Sequence, residues 1–191
     1  MAVVESQMIP LGASAPDFEL EDVLGKGKVA RSDFAGKPLL VVFMSNHCPY
    51  ARHVEAKLAE VAGAYADRGV ATVWISSNDM ENYPADAPEE LAKQAQRVGA
   101  NFPYLHDASQ EVAKAYKAMC TPDLYLFDSG HKLFYRGRFD ATRPEKGAPT
   151  GEDLTAALEA LLAGGQPPEP QWPSMGCNIK WKPGNEPDYY G

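Results

Sequence analysis

An unbroken apolar run, Leu39-Leu40-Val41-Val42-Phe43-Met44, hands over within five residues to an amphipathic segment, and a cysteine sits at the joint. A continuous apolar strand is what a central strand covered on both faces of a sheet requires. After Ser45-Asn46-His47-Cys48-Pro49, apolar residues return at Ala51, Val54, Leu58, Val61 and Ala62, the spacing of one helix face. Pro49 suits a first helical turn, where its missing N–H costs no hydrogen bond. Cys48 therefore stands at a helix N-terminus. Free backbone N–H groups and the helix dipole favour negative charge there, so the thiol ionises more easily than in water. His47 and Arg52 are candidates to add positive potential, and Asn46 to order the loop.

The rest of the chain fits around this unit. Residues 1–15 show no strong periodicity. Phe18, Leu20 and Val23, then Leu24-Gly25-Lys26-Gly27-Lys28 and Val29, read as two short strands joined by a Gly-rich turn. The helix after Cys48 runs to about Arg68 and stops at Gly69. Val70 to Ser76 is the next buried strand, and the polar stretch Ser77 to Pro88 is a loop at its carboxyl end, the functional side of an open α/β sheet. Pro88 to Val98 reads as a helix, Phe102 to Leu105 as a short strand, and Ser109 caps a helix reaching about Met119. Asp123 to Asp128 and Lys132 to Phe139 form a hairpin around Ser129-Gly130. Gly151 to Ala163 is a last amphipathic helix. Alternating strands and helices predict an α/β fold with a mixed, mostly parallel central sheet and helices on both faces. We expect one domain over residues 1–165 and a Pro- and aromatic-rich tail over residues 166–191. The tail lacks helical or strand period, but its Trp, Tyr and Ile residues predict that it packs on the domain.

Net charge is −8, which argues against non-specific nucleic-acid binding and against docking on an anionic membrane. The N-terminal stretch has no basic region ahead of an apolar one, and no apolar run is long enough to span a bilayer, so the expected compartment is the cytoplasm. Three cysteines, Cys48, Cys120 and Cys177, are too far apart for a paired zinc site and odd in number for a disulfide framework. In a reducing compartment at least one is a candidate for chemistry. A metal held by His47, Cys48 and His53 would lack a fourth ligand. No phosphate-cradling Gly loop is present, and no organic cofactor is implied.

Several motifs together carry a family resemblance: Ala15-Pro16-Asp17-Phe18-Glu19-Leu20, Asn46-His47-Cys48-Pro49, Cys120-Thr121-Pro122-Asp123, Tyr135-Arg136-Gly137-Arg138, and Gly176-Cys177-Asn178-Ile179-Lys180-Trp181-Lys182. With the element order over residues 15–163, the chain resembles the thioredoxin-fold superfamily in its peroxiredoxin-like, AhpC/TSA-related group. The resemblance implies a thioredoxin-like fold with an N-terminal β-hairpin and a nucleophile at Cys48. It also implies a cis-proline at Thr121-Pro122 facing that nucleophile, where the residue before the proline offers backbone hydrogen bonds to a substrate strand. Two departures stand out. A thioredoxin-type Cys-x-x-Cys needs a second cysteine where this chain has Ala51. A peroxidatic cysteine would fall near Ala51 or Arg52, and Pro122 stands roughly where the peroxiredoxin pattern has an arginine.

Two function classes follow. In one, Cys48 attacks a disulfide or a peroxide, and Cys120, Cys177 or an external thiol resolves it. Cys120 has a slight edge because it adjoins the proline. Cys177 reaches the same place if the tail folds back, within one chain or across a homodimer. Arg138 could bring a guanidinium to the site, whereas Arg136, in the same motif, and His53 read as solvated surface; Tyr50 reads as site wall and Trp74 as core. The partners are then protein or small-molecule thiols and disulfides, or peroxides, with modest peroxidase activity an open reading. In the other class, the protein is a non-catalytic binding module that lost its second cysteine. The acidity of Cys48 discriminates the two.

Overall fold

The computed structural model describes residues 2–190. Ten strands and four helices run in the order β1 (Val3–Glu5), β2 (Glu19–Asp22), β3 (Lys28–Ala30), β4 (Leu39–Phe43), α1 (Pro49–Ala66), β5 (Ala71–Ser76), α2 (Pro88–Val98), β6 (Tyr104–His106), α3 (Glu111–Tyr116), β7 (Cys120–Thr121), β8 (Asp123–Phe127), β9 (Leu133–Gly137), α4 (Glu152–Leu162) and β10 (Met175–Asn178). Seven strands make the main sheet in the order β3-β2-β6-β5-β4-β8-β9. The sheet is mixed, but its parallel part is smaller than the alternation of elements predicts. Only β4–β5 and β5–β6 run parallel, while β2–β3, β2–β6, β4–β8 and β8–β9 are antiparallel. The reason lies in the connections. The crossovers through α1 and α2 return their strands in the same direction; the remaining strands of the sheet enter as hairpins or from the opposite end.

Period-two alternation along β4 divides the core. Leu40, Val42 and Met44 face one apolar cluster with Leu58 of α1, Leu91 of α2 and Leu154 and Leu158 of α4. Leu39, Val41 and Phe43 face a second cluster with Tyr116 of α3 and with Ile179 and Trp181 of the tail. Trp74 is fully buried in the first cluster. All five β4 residues are buried, as expected for a strand covered on both faces.

Three expectations need correction. The helix expected from Ser109 to Met119 is short: Gln110 and Lys117, both left-handed, bound it, and Ser109 instead accepts the Glu111 N–H at 3.2 Å. The N-terminal arm and the tail, neither of which has a strand period, both contribute strands. β10 is the middle strand of a separate three-stranded sheet, antiparallel to β1 on one side and to β7 on the other. Periodicity misses it because its two central residues are both buried, so no polar-apolar alternation marks it.

Candidate active site

The sequence around Cys48 folds as a strand end, a polar turn and a helix start. Cys48 occupies the cap position of α1, and Pro49 opens the helix. Its side chain is 0% exposed and donates to the Thr121 carbonyl oxygen at 3.1 Å. The Thr121–Pro122 peptide bond is cis. In the β7–β10 pair, Thr121 lies opposite Cys177 and Cys120 opposite Asn178. Neighbouring strand residues point to opposite faces. Accordingly Cys177, not Cys120, is the thiol that acts on Cys48, while the Cys120 sulfur is turned to the Pro122 carbonyl at 3.6 Å. All three cysteines are free.

The electrostatics separate the three thiols. Cys48 is lowered to about 6, first by the hydrogen bond from the Cys177 thiol; burial opposes this, and Thr121 and the backbone N–H groups of Ala51 and Cys177 add to the lowering. Thiol, hydroxyl and backbone N–H are all donors, so the Cys177 S–H, the Thr121 hydroxyl and the two N–H groups are the partners that hold charge on Cys48. Ala51 supplies a free N–H of the first helical turn, as the strand-to-helix handover predicts. Cys177 is raised, chiefly by its bond to Cys48, so the first proton lost belongs to the pair. Burial pushes Cys120 well above the ordinary thiol range.

The turn before Cys48 is organised by a residue that the sequence did not single out. Asp86 is fully buried. It accepts hydrogen bonds from the Asn46 N–H at 2.6 Å, Ser45 Oγ at 2.9 Å, His47 Nδ1 at 2.8 Å and Asn78 Nδ2 at 2.5 Å. Burial works against its charge, but His47, Asn78 and the Asn46 N–H hold its carboxyl below the usual range. Asn78 also accepts the Lys180 N–H at 2.8 Å, so one buried side chain joins the Cys48 turn to the tail. His47 stacks on Tyr83, with ring centroids 4.9 Å apart, and the Lys180 ammonium lies 5.7 Å from the same Tyr83 ring. Only the loop position of residues 77–88, at the carboxyl end of a strand, hinted at Asp86. Burial pushes the Lys180 ammonium below its ordinary range, against the opposing charges of Cys177, Cys48 and Asp86.

The other candidates are dispersed. Arg52 is exposed, and the groups acting on Cys48 include neither Arg52 nor His47. His47 turns to Asp86 and His53 to Thr142 Oγ1 at 2.9 Å, so the two histidines do not converge on Cys48. Asn46 orders the turn through Nδ2 to the Ala85 carbonyl at 2.9 Å. Arg136 is not a solvated hairpin residue. Its guanidinium holds the Ile9 carbonyl and Gln171 of the tail. Arg138 pairs with Asp153 at 2.6 Å and lies against Trp172. A cavity of about 460 Å³ opens beside the cysteine pair between Tyr50, His53, Pro122, Arg138, Trp172 and Met175.

The chain is similar to proteins of known sequence and structure. Over 157 residues, 82% of this chain and 81% of the relative, the sequence is 24% identical to the thiol-disulfide oxidoreductase ResA of Geobacillus thermodenitrificans. The structure of an uncharacterized conserved protein from Geobacillus kaustophilus matches at 50% identity and TM-score 0.92, covering 96% of this chain and 98% of that one. A hypothetical protein from Sinorhizobium meliloti matches at 45% identity and TM-score 0.91, covering 94% and 99%. The thioredoxin domain of a Bacteroides vulgatus thiol-disulfide oxidoreductase shares the fold at TM-score 0.58, covering 72% and 92% with 21% identity. The AhpC/TSA family model matches residues 11–136, a segment that includes Cys48 and the cis Thr121–Pro122 bond and ends before the tail. With that match over most of its length and a thioredoxin-like fold, the chain belongs to the AhpC/TSA family.

Proposed function

We propose that the protein is a thiol-disulfide oxidoreductase whose redox couple is Cys48 with Cys177. The observation that carries this reading is the register that sets Cys177 opposite Thr121, the residue whose carbonyl accepts the Cys48 S–H at 3.1 Å; the lowering of Cys48 to about 6, with Cys177 its first cause, agrees with it. The second cysteine that a Cys-x-x-Cys turn would supply at position 51 comes instead from the tail. The Cys48 thiolate attacks one sulfur of a substrate disulfide, forming a mixed disulfide and releasing the other half as a thiolate. Cys177 then gives up its proton and attacks the Cys48 sulfur. The second half leaves as a thiol, and the protein is left with a Cys48–Cys177 disulfide, two electrons having passed to the substrate. An external dithiol, running the same steps backwards, restores the pair.

Disulfides are a better substrate class than peroxides here, because no guanidinium assists Cys48: Arg52 is exposed and Arg138 is bound to Asp153. A binding module would have no use for an acidified thiol facing a second thiol. The test is stoichiometric. Reduced wild type mixed with excess aromatic disulfide should release two equivalents of aromatic thiolate and end as a Cys48–Cys177 bridge in peptide maps. Cys177→Ser should release one and keep the mixed disulfide on Cys48; Cys48→Ser should release none on that timescale. A bridge to Cys120, or two equivalents from Cys177→Ser, would sink the reading.

A further inference from the structure

We propose that β10 is an autoinhibitory strap. It fills the position beside Thr121 that a partner's extended strand would take. It keeps Cys48 from macromolecular disulfides until it peels away, and it sets what can replace it: a segment with glycine directly before its cysteine. The sulfur chemistry rests on the Cys48–Cys177 reading; the steric argument does not.

Three observations carry it. First, the groove is already occupied by a strand of this chain, antiparallel to β7 and carrying a cysteine opposite Thr121. Adding a strand to such an edge is the general way an extended peptide is recognised by backbone hydrogen bonds. Second, the fit admits only glycine. A Cβ at Gly176 would stand 2.1 Å from the Thr121 oxygen and 2.8 Å from its carbonyl carbon, both backbone atoms that no side-chain rotation can move aside. Third, with the strap seated the sulfurs are closed off. Cys48 is 0% and Cys177 3% exposed, and the neighbouring cavity is lined by Tyr50, Pro122 and Met175 without touching either sulfur.

The anchors define where the strap opens. Upstream it is held by polar contacts at a sheet end: Ser174 Oγ to the Gly137 carbonyl at 2.6 Å, and the Ser174 N–H to Ser6 Oγ at 2.9 Å. Trp172, the residue before this anchor's proline, is half exposed. Downstream, Ile179 and Trp181 are buried in the second core cluster, and Lys180 is tied to Asn78 and Gln110. The weak end is upstream, so residues 172–178 lift with β1 while 179–181 stay as the hinge. Segments that open in this way have few apolar contacts and are held by a short set of polar ones.

The experiment measures the alkylation of Cys48 in the reduced full chain, by peptide mapping, with iodoacetamide and with a bulky polyethylene-glycol maleimide. In wild type both rates should level off as reagent rises, because opening limits them. Gly176→Val should raise the bulky-reagent rate by about tenfold or more, a local opening made easier by some 1.4 kcal/mol or beyond. Ser174→Ala, which leaves the Gly176 contact intact, should raise it less. A synthetic peptide of residues 172–180, with serine for its cysteine, should protect Gly176→Val again; the same peptide with valine before that serine should not. The strap is refuted if wild-type Cys48 reacts in proportion to bulky reagent at the rate of the unfolded chain. It is refuted equally if Ser174→Ala, or a Gly176→Val protein of native near-ultraviolet dichroism, reacts no faster than wild type. No disulfide forms in this assay. Release of two aromatic thiolates with no strap effect therefore discards the strap alone, and release of one with a strap effect discards the cysteine couple alone.

Discussion

Cys48 owes its acidity to donors rather than to cations. Its strongest partner is the Cys177 S–H, followed among donors by the Thr121 side chain and then by backbone N–H groups, one from the first turn of α1. Removing that thiol should therefore raise the Cys48 titration. A hydrogen bond to a charged group contributes about 1.5–3 kcal/mol, which corresponds to an upward move of about one to two pH units. Thiolate absorbance of Cys177→Ala, titrated against wild type, checks this. The midpoint should leave the neighbourhood of 6 and approach the ordinary thiol value, and an unmoved midpoint would assign the acidity to the helix terminus alone. The sign of the pH dependence follows. At neutral pH wild type holds Cys48 largely as thiolate, whereas Cys177→Ala holds about half of it or more as thiol, so attack on a disulfide should slow in the variant and recover as pH rises. Sequence spacing marks Cys48 as the reactive thiol but cannot choose its partner. Cys120 adjoins the proline in sequence, but strand alternation turns it away, and the hydrogen bond to Cys48 comes from Cys177, opposite Thr121.

At the scale of elements, the turn from β4 into α1 is held by a loop of distant sequence. Asp86 takes bonds from Ser45, Asn46, His47 and Asn78 at once. Asp86→Ala would leave the Asn46 N–H, the Ser45 hydroxyl and the Asn78 amide without their buried acceptor, and each such group costs about 1–3 kcal/mol. We expect Asp86→Ala to lose about 3 kcal/mol or more in denaturant unfolding and to blur the Cys48 titration, because the turn that aims the thiol is loosened. Asp86→Asn, which keeps an acceptor oxygen, should lose less. Equal losses for the two variants would mean that the charge, not the hydrogen-bonding geometry, holds the turn. The helices α1 and α4 are legible from apolar spacing because each buries one stripe against the sheet, and α2 from Pro88 and two glutamates at its start and Gly99 at its end. Asp86 is not, since a lone carboxylate in a polar loop carries no periodic signal and its role exists only once β5 brings the loop beside β4.

For the whole molecule, the tail decides how the body behaves. It runs from Arg136 on the β9 edge, past the cysteine pair, to the second core cluster. A Cys48–Cys177 bridge would close most of the chain into one covalent loop and restrict the unfolded state accordingly. The oxidised protein should therefore unfold about 2–4 kcal/mol later than the reduced one. Denaturant curves in the presence and absence of a reducing dithiol measure the difference, and coincident curves would show that no such bridge forms. The central strand, a cysteine at a helix start and the alternating α/β order are legible along the chain, because each rests on contacts between near neighbours or on a period of two or 3.6 residues. How much of the sheet is parallel, the ordering of the cysteine turn by Asp86, and the closure of Gly176 and Cys177 over Thr121 emerge in the folded chain alone. Those outcomes depend on backbone pairing between segments far apart in sequence, and a buried strand with glycine at the point of closest approach leaves no pattern along the chain to announce it.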